Sequence, residues 1–247
     1  MRIRQFVVVA RDLESVVEDF QSVLGIEVGF NDPQVKEFGL RNAVMPVGDT
    51  FLEVISPIDP NATAERYLKR RGGDGGYMLI VQSEALDRDR ARFAELGVRT
   101  IWKADLPQIR GTHLHPKDTG GTLLSVDDAT PPESWQWAGP QWKSHVRTDV
   151  VSSIKAAELQ SDDPKALARR WSEVLGKSTR EVDGNQVMDL DGGAIRFVKE
   201  TDGRGEGLTA FDVKVVDREK LIAGAKQRGC AIDGDEVTVA GVRVRLA

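Results

Sequence analysis

Glu53 stands in Phe51-Leu-Glu-Val-Ile55, an apolar run of strand length in which a carboxylate is out of place. A buried carboxylate there must be paired, protonated or metal-bound, because desolvating it bare is costly. Alternation along a strand sets Phe51, Glu53 and Ile55 on one face. If that face lines a cleft, Glu53 offers general-base chemistry or metal ligation; on a solvated face it is an ordinary strand glutamate. Gln5 precedes the apolar run Phe6 to Ala10, and in the same sheet its amide would neighbour Glu53. An amide is a good hydrogen-bonding group and a weak metal ligand, although a lone Gln at a strand start also needs no special role.

His113 and His115 lie in Gly111-Thr-His-Leu-His-Pro-Lys-Asp118. Their spacing of two predicts that both project from one face of a strand ending at Pro116, where imidazoles bind a metal or shuttle protons near neutral pH. The bland alternative is a polar strand end with a surface histidine. The chain has 3 histidines, and the third, His145, lies in a linker, so a metal site must also use carboxylate or amide ligands. Pro116 to Gly121 has backbone N–H groups and Lys117 available for an anion but none of the phosphate-loop spacings, which predicts a hairpin turn. There is no Gly-x-Ser-x-Gly, Walker or dinucleotide fingerprint, and Cys230 has no evident activating neighbour.

The elements that position these residues follow from composition and periodicity. A length of 247 residues, at roughly 150 per domain, suggests one large domain or two small ones. With 40% hydrophobic and 30% charged residues, the chain should fold throughout. The net charge of −5, with signs interspersed, argues against nucleic acid as a partner. A single cysteine excludes an internal disulfide and a cysteine-based zinc knuckle, and fits a cytoplasmic protein. The opening apolar run is too short for a signal segment, and no stretch approaches the roughly 18 apolar residues of a membrane span.

A repeat organises the chain. Asp12 is followed twelve and thirteen residues later by Leu24-Gly25, Glu84 likewise by Leu96-Gly97, and Asp163 by Leu175-Gly176; a copy one residue shorter runs from Asp217 to Arg228-Gly229. Helical spacings fill the intervals, as in Val16, Val17, Phe20, Val23 and Leu24, and the glycine suits the left-handed residue past a helix. Strand-like runs precede each mark: Phe6 to Ala10, Met78 to Val81, Ile154 to Leu159 and Leu208 to Val216. Turn-broken strands follow, as in Ser178 to Val182, Asp183-Gly184, Gln186 to Leu190, Asp191-Gly192-Gly193 and Ala194 to Lys199. Each unit reads β-α-β-β-β.

One such unit cannot cover its own sheet, so two must pair around a concave surface. The expected class is α+β, with four β-α-β-β-β modules paired into two curved-sheet, half-barrel domains. Residues 1–128 form the domain with the candidate site and 151–247 a second, degenerate one. The segment 129–150 is a linker whose Trp135, Trp137 and Trp142 pack against something.

With these residues in place, the chain resembles the vicinal oxygen chelate superfamily of glyoxalase, bleomycin-resistance and dioxygenase proteins. The resemblance rests on Ile3-Arg-Gln-Phe-Val-Val-Val-Ala-Arg-Asp-Leu-Glu14 with its helix to Leu24-Gly25, on Phe51-Leu-Glu-Val-Ile-Ser-Pro57, and on His115-Pro-Lys-Asp-Thr-Gly-Gly-Thr-Leu-Leu124. It covers residues 1 to 128, closest to epimerase-like members, while 151 to 247 match only through the repeat. The resemblance implies a divalent metal on four side chains, and the corresponding positions here are Gln5, Glu53, Met78 and Ser125. Two of these, Met78 and Ser125, depart from the family's pattern, whose last position is usually Glu. In the second pair the positions fall near Ala156, Arg196, Ala210 and Arg243, which implies a metal-free, structural cleft.

The resemblance further implies a small-molecule ligand, with a homodimer compatible, and a lyase, isomerase or epimerase reaction next to a carbonyl. In that reading Glu53 is ligand or general base, Gln5 a ligand or orienter, and His113 or His115 a replacement ligand or acid. The alternative is a metal-free, ligand-sequestering protein of the resistance type, in which Tyr77, Met78 and Trp102 supply contact area and Gln5 and Glu53 orientation. A third option makes Trp135, Trp137 and Trp142 a partner interface.

Overall fold

A computed structural model describes residues 1–247. The four modules are present in chain order. The first has β1 (Arg2–Val9), α1 (Leu13–Leu24), β2 (Leu40–Val47) and β3 (Thr50–Pro57), and is followed by α2 (Thr63–Arg71). The second has β4 (Gly75–Gln82), α3 (Leu86–Glu95), β5 (Thr100–Asp105), β6 (Ile109–Leu114), α4 (Pro116–Thr119) and β7 (Leu123–Ala129). The third has β8 (Val151–Ser161), α5 (Pro164–Leu175), β9 (Arg180–Val182), β10 (Asn185–Leu190) and β11 (Gly193–Lys199). The fourth has β12 (Gly207–Val215), α6 (Arg218–Gln227), β13 (Ala231–Asp233), β14 (Glu236–Val239) and β15 (Val242–Leu246). They form two curved, open sheets, seven strands in the order β2-β3-β1-β4-β7-β6-β5 and eight in the order β13-β14-β15-β12-β8-β11-β10-β9.

The repeat marks are helix caps in three modules. Asp12, Asp163 and Asp217 precede α1, α5 and α6, and each side chain accepts a backbone N–H of the first turn. The second module differs: Glu84 is exposed, the cap position falls on Ala85 with no capping side chain, and Ser83 Oγ accepts from Ala85 N at 3.1 Å and pairs with Asp89. Gly25 and Gly97 both take left-handed conformations, at φ 65 and φ 67. A Cβ on Gly97 meets nothing within 4 Å, whereas one on Gly25 comes within 2.4 Å of Val150. Gly97→Ala is therefore expected to cost only the backbone strain of about 1–2 kcal/mol, and Gly25→Ala measurably more, as read by urea unfolding of both variants.

The first module also departs from the pattern. Its strand after α1 is reduced to a single bridge, Phe30 to Val44, because Pro33 lacks a ladder donor and opens a 3-10 turn over Pro33–Phe38. The expected hairpin turn at 116–121 is instead the one-turn helix α4.

By packing, the chain separates into two compact units. One comprises Gln5–Gly76, Trp137–Lys155 and Thr209–Ala247. Its core lies between sheet and helices: Phe6 meets Phe211 at 4.8 Å and Phe20 of α1 meets Phe211 at 6.3 Å between ring centroids. Here α1 crosses α6 closely, since a Cβ on Gly224 would lie 1.9 Å from Ser22 O. The other unit comprises Met1–Arg4, Tyr77–Gln136 and Ala156–Leu208. Trp171 of α5 packs on Phe197 at 5.8 Å, and Arg92 of α3 donates to Val174 O at 2.9 Å. Two linker tryptophans are buried within the chain, Trp135 under the Arg4 guanidinium at 5.1 Å and Trp142 against Phe51, which leaves them little surface for the partner interface considered as a third option. No helix is long and apolar enough to cross a membrane.

Candidate functional site

Glu53 lies on the face of β3 turned away from the helices. The parallel register of β1 and β3 sets Gln5 opposite Phe51 and Val7 opposite Glu53, while Phe6, on the other face, enters the helix-side core with Phe20 and Phe211. The antiparallel β2–β3 hairpin sets Val44 opposite Glu53, and Asn42, two residues before it, shares that face. The three polar side chains meet there: Gln5 Nε2 donates to Glu53 Oε2 at 2.6 Å and Asn42 Nδ2 to Oε1 at 2.7 Å. Asn42 is held by its other end, its Oδ1 accepting from Asp32 N at 2.8 Å. All three are buried, Glu53 at 8% exposure.

Burial pushes the Glu53 carboxyl up to about 7. The Asn42 and Gln5 donors oppose that shift, and the Asp32 carboxylate adds to it. The carboxyl thus changes charge near neutral pH, in a pocket that orients both of its oxygens. Asn42 escaped the sequence reading, although it carries the same signal as Glu53, a polar residue inside an apolar strand.

The second-module residues belong to the other unit. Ile80 lies opposite Ser125 as Val7 lies opposite Glu53, so Met78 and Ser125 occupy the positions equivalent to Gln5 and Glu53. His113 also lies opposite Ser125, and Trp102 opposite His113, their rings 4.4 Å apart. The next inward position on β7 is Asp127, a buried carboxylate that the sequence reading missed and to which Ser125 Oγ donates.

Three expectations need correction. Tyr77 alternates with Met78 along β4 and so takes the opposite face. His115 does not share a strand face with His113, because β6 ends at Leu114 and His115 instead caps α4, its Nδ1 accepting from Lys117 N at 3.1 Å. Burial pushes the His113 imidazole down to about 3, which counts against the proton-shuttle role expected of it near neutral pH.

In the third module Arg196 lies opposite Glu158, and Ala156 sits two residues before it. Glu158 is fully buried and receives Arg196 Nε at 3.3 Å. This carboxylate was also missed, since the expected positions there named only Ala156 and Arg196. In the fourth module Ala210 lies opposite Arg243, on strands without carboxylates at those two places.

Comparison with known proteins agrees with this architecture. The model of the glyoxalase-like domain matches residues 6–175, well over half of the 247. Human mitochondrial methylmalonyl-CoA epimerase is 23% identical over 134 residues, which cover 52% of this chain and 74% of the relative. Among solved structures, the Mn(II)-bound glyoxalase from Novosphingobium aromaticivorans superposes with a TM-score of 0.69 at 14% identity, covering 99% of this chain and 81% of that one. A mutant 4-hydroxymandelate synthase from Streptomyces coelicolor gives 0.67 at 15% identity, covering 93% and 75%. At such identities these likenesses speak for the fold alone. On the extent of the domain match and on that fold, the chain belongs to the glyoxalase-like family of the vicinal oxygen chelate superfamily.

Proposed function

We propose that residues 1–128 bind a small carbonyl compound and that Glu53 removes a proton from the carbon next to its carbonyl, as a lyase, isomerase or epimerase of the glyoxalase type requires. The observation that carries this reading is the buried Glu53 carboxylate, clamped by Gln5 and Asn42 and raised to about 7. A base with that value is half ionised at neutral pH, the condition under which a general base combines availability with strength. Gln5 and Asn42 fix the carboxylate's direction, and burial keeps water from competing for the proton.

The family implies a divalent metal, and the side chains here do not fit one. Both Glu53 oxygens accept amide N–H bonds, so Gln5 offers the carboxylate its donor end. Met78 supplies a thioether, which is a soft ligand, and the Ser125 hydroxyl donates to Asp127. Thermal unfolding with Mg2+, Mn2+, Co2+ or Zn2+ is expected to show no stabilisation that depends on Glu53. A cation-dependent rise in Tm that Glu53→Gln abolishes would refute this.

Met78 and Ser125 favour a second reading, sequestration of a ligand without turnover, because neither supplies charge to an enolate. One assay separates the two. Wild-type protein in D2O is incubated with 2-methyl-branched acyl thioesters of N-acetylcysteamine, and loss of the α-proton is followed by NMR. Exchange above background supports proton abstraction; saturable binding without exchange supports sequestration.

A further inference from the structure

The concave face carrying Glu53 is bounded by a segment that no other part of the repeat supplies. Residues 137–147, between the second and third modules, run past β2 within the unit that holds Glu53. Trp142 stands edge-on to Phe51, with centroids 5.0 Å apart and an interplanar angle of 81°, and is 8% exposed. Phe51 shares the face of Glu53 and lies opposite Gln5, about 7 Å along the strand from Glu53, and the indole packs on its ring.

The strap is fastened at several points. Gly139 sits against the Phe30 ring so closely that a Cβ there would lie 2.5 Å from it. Glu27 takes His145 Nδ1 and Arg147 Nη2, both at 2.8 Å. Ser144 Oγ donates back to Gln141 O at 2.8 Å, and Arg147 Nη1 donates to Ser144 O at 3.0 Å, which closes the turn bearing Trp142. The turn that bears the indole is thus held on both flanks, which lets Trp142 stand as a wall at that end of the face.

We propose that Trp142 is a specificity-determining residue that limits the length of the acyl chain reaching Glu53, so that the site takes compact carbonyl compounds and excludes long-chain ones. This rests on Glu53 marking the binding site. The chemistry follows from the wall's composition: the Phe51 and Trp142 rings are largely aromatic carbon, which suits an aliphatic tail. A buried aromatic wall also cannot shrink, so a tail one methylene too long must displace a ring.

The test uses the full chain and a graded set of 2-methyl-branched acyl thioesters of N-acetylcysteamine. Affinity is measured by calorimetry and α-deuterium exchange by NMR, for wild type, Trp142→Ala and Trp142→Phe. Wild type should lose about tenfold or more in affinity at the first methylene beyond its limit. Trp142→Ala should move that limit to longer chains and raise the long-to-short affinity ratio by at least about tenfold, with Trp142→Phe between. If the alanine variant does not fold, as judged by its melting transition, the phenylalanine variant carries the test by the same ratio. An identical limit in wild type and folded variants overturns the proposal, whether or not exchange occurs. A moved limit without exchange at any length supports it and removes the base role of Glu53 alone. Failure of every probe to bind any of the proteins overturns both.

Discussion

Glu53→Gln is expected to slow α-proton exchange by about 10²–10⁴-fold, the usual contribution of a positioned general base. Glutamine keeps the side chain's size and one acceptor oxygen, so substrate affinity should fall far less than rate. In wild type the exchange rate should climb with pH through about 7 and level off above it, as the carboxyl ionises. The variant's residual rate should lack that step. A Glu53→Gln protein with wild-type rate, or a wild-type profile flat from pH 5 to 9, would remove Glu53 from the chemistry.

The same titration acts on stability, and its sign is opposite to that of an ordinary ion-paired carboxylate. Because the folded value lies above the unfolded one, near 4.5, the folded state holds the proton more tightly. This contribution is fully present below about 4.5 and is lost as pH rises through about 7, a change of about 3 kcal/mol. Urea unfolding across that window should show the slope in wild type and its disappearance in Glu53→Gln. At high pH the variant regains part of the difference, less the one amide hydrogen bond that glutamine cannot accept.

Arg196→Leu should be the more damaging half of a second pair. Glu158 has a fully buried side chain, whereas Arg196 is 21% exposed. Removing the guanidinium takes away the cation that faces a carboxylate cut off from water, which typically costs about 3–5 kcal/mol. Glu158→Gln leaves the partly hydrated Arg196 behind and should cost clearly less. Denaturant midpoints for the two single variants, and for a Glu158→Met/Arg196→Leu double variant, provide the measurement. Equal losses would mean that the pair does not stabilise the fold in this way, and a double variant more stable than Arg196→Leu alone would support the account.

How much of this was legible beforehand differs residue by residue. Asp12, Asp163 and Asp217 were visible because capping is local, with a side chain serving a backbone N–H three residues on. Glu84 failed as a mark because α3 starts one residue later, so that Ala85, with no capping side chain, holds the cap position. Glu53 stood out because a carboxylate in an apolar strand is anomalous within five residues of text. Asn42 gave the same signal more faintly, and Glu158 and Asp127 were lost among ordinary polar residues. The misplacement of His115 came from extending strand alternation one residue past the end of β6, and Tyr77 was grouped with Met78 although neighbours along a strand take opposite faces.

The amino-acid sequence by itself determined the four modules, the helix that each carries, and one acidic residue worth testing. These depend on periods of 2 and 3.6 and on turn residues, all of which act over a few positions. Tertiary structure decided which side chains meet. The Gln5–Glu53 contact needs a parallel register across 48 residues, the Asn42 contact a hairpin register, and the Trp142–Phe51 contact a strap from outside the modules. Such registers are set by burying one face of a whole sheet together, so no short window of the chain contains the information that fixes them.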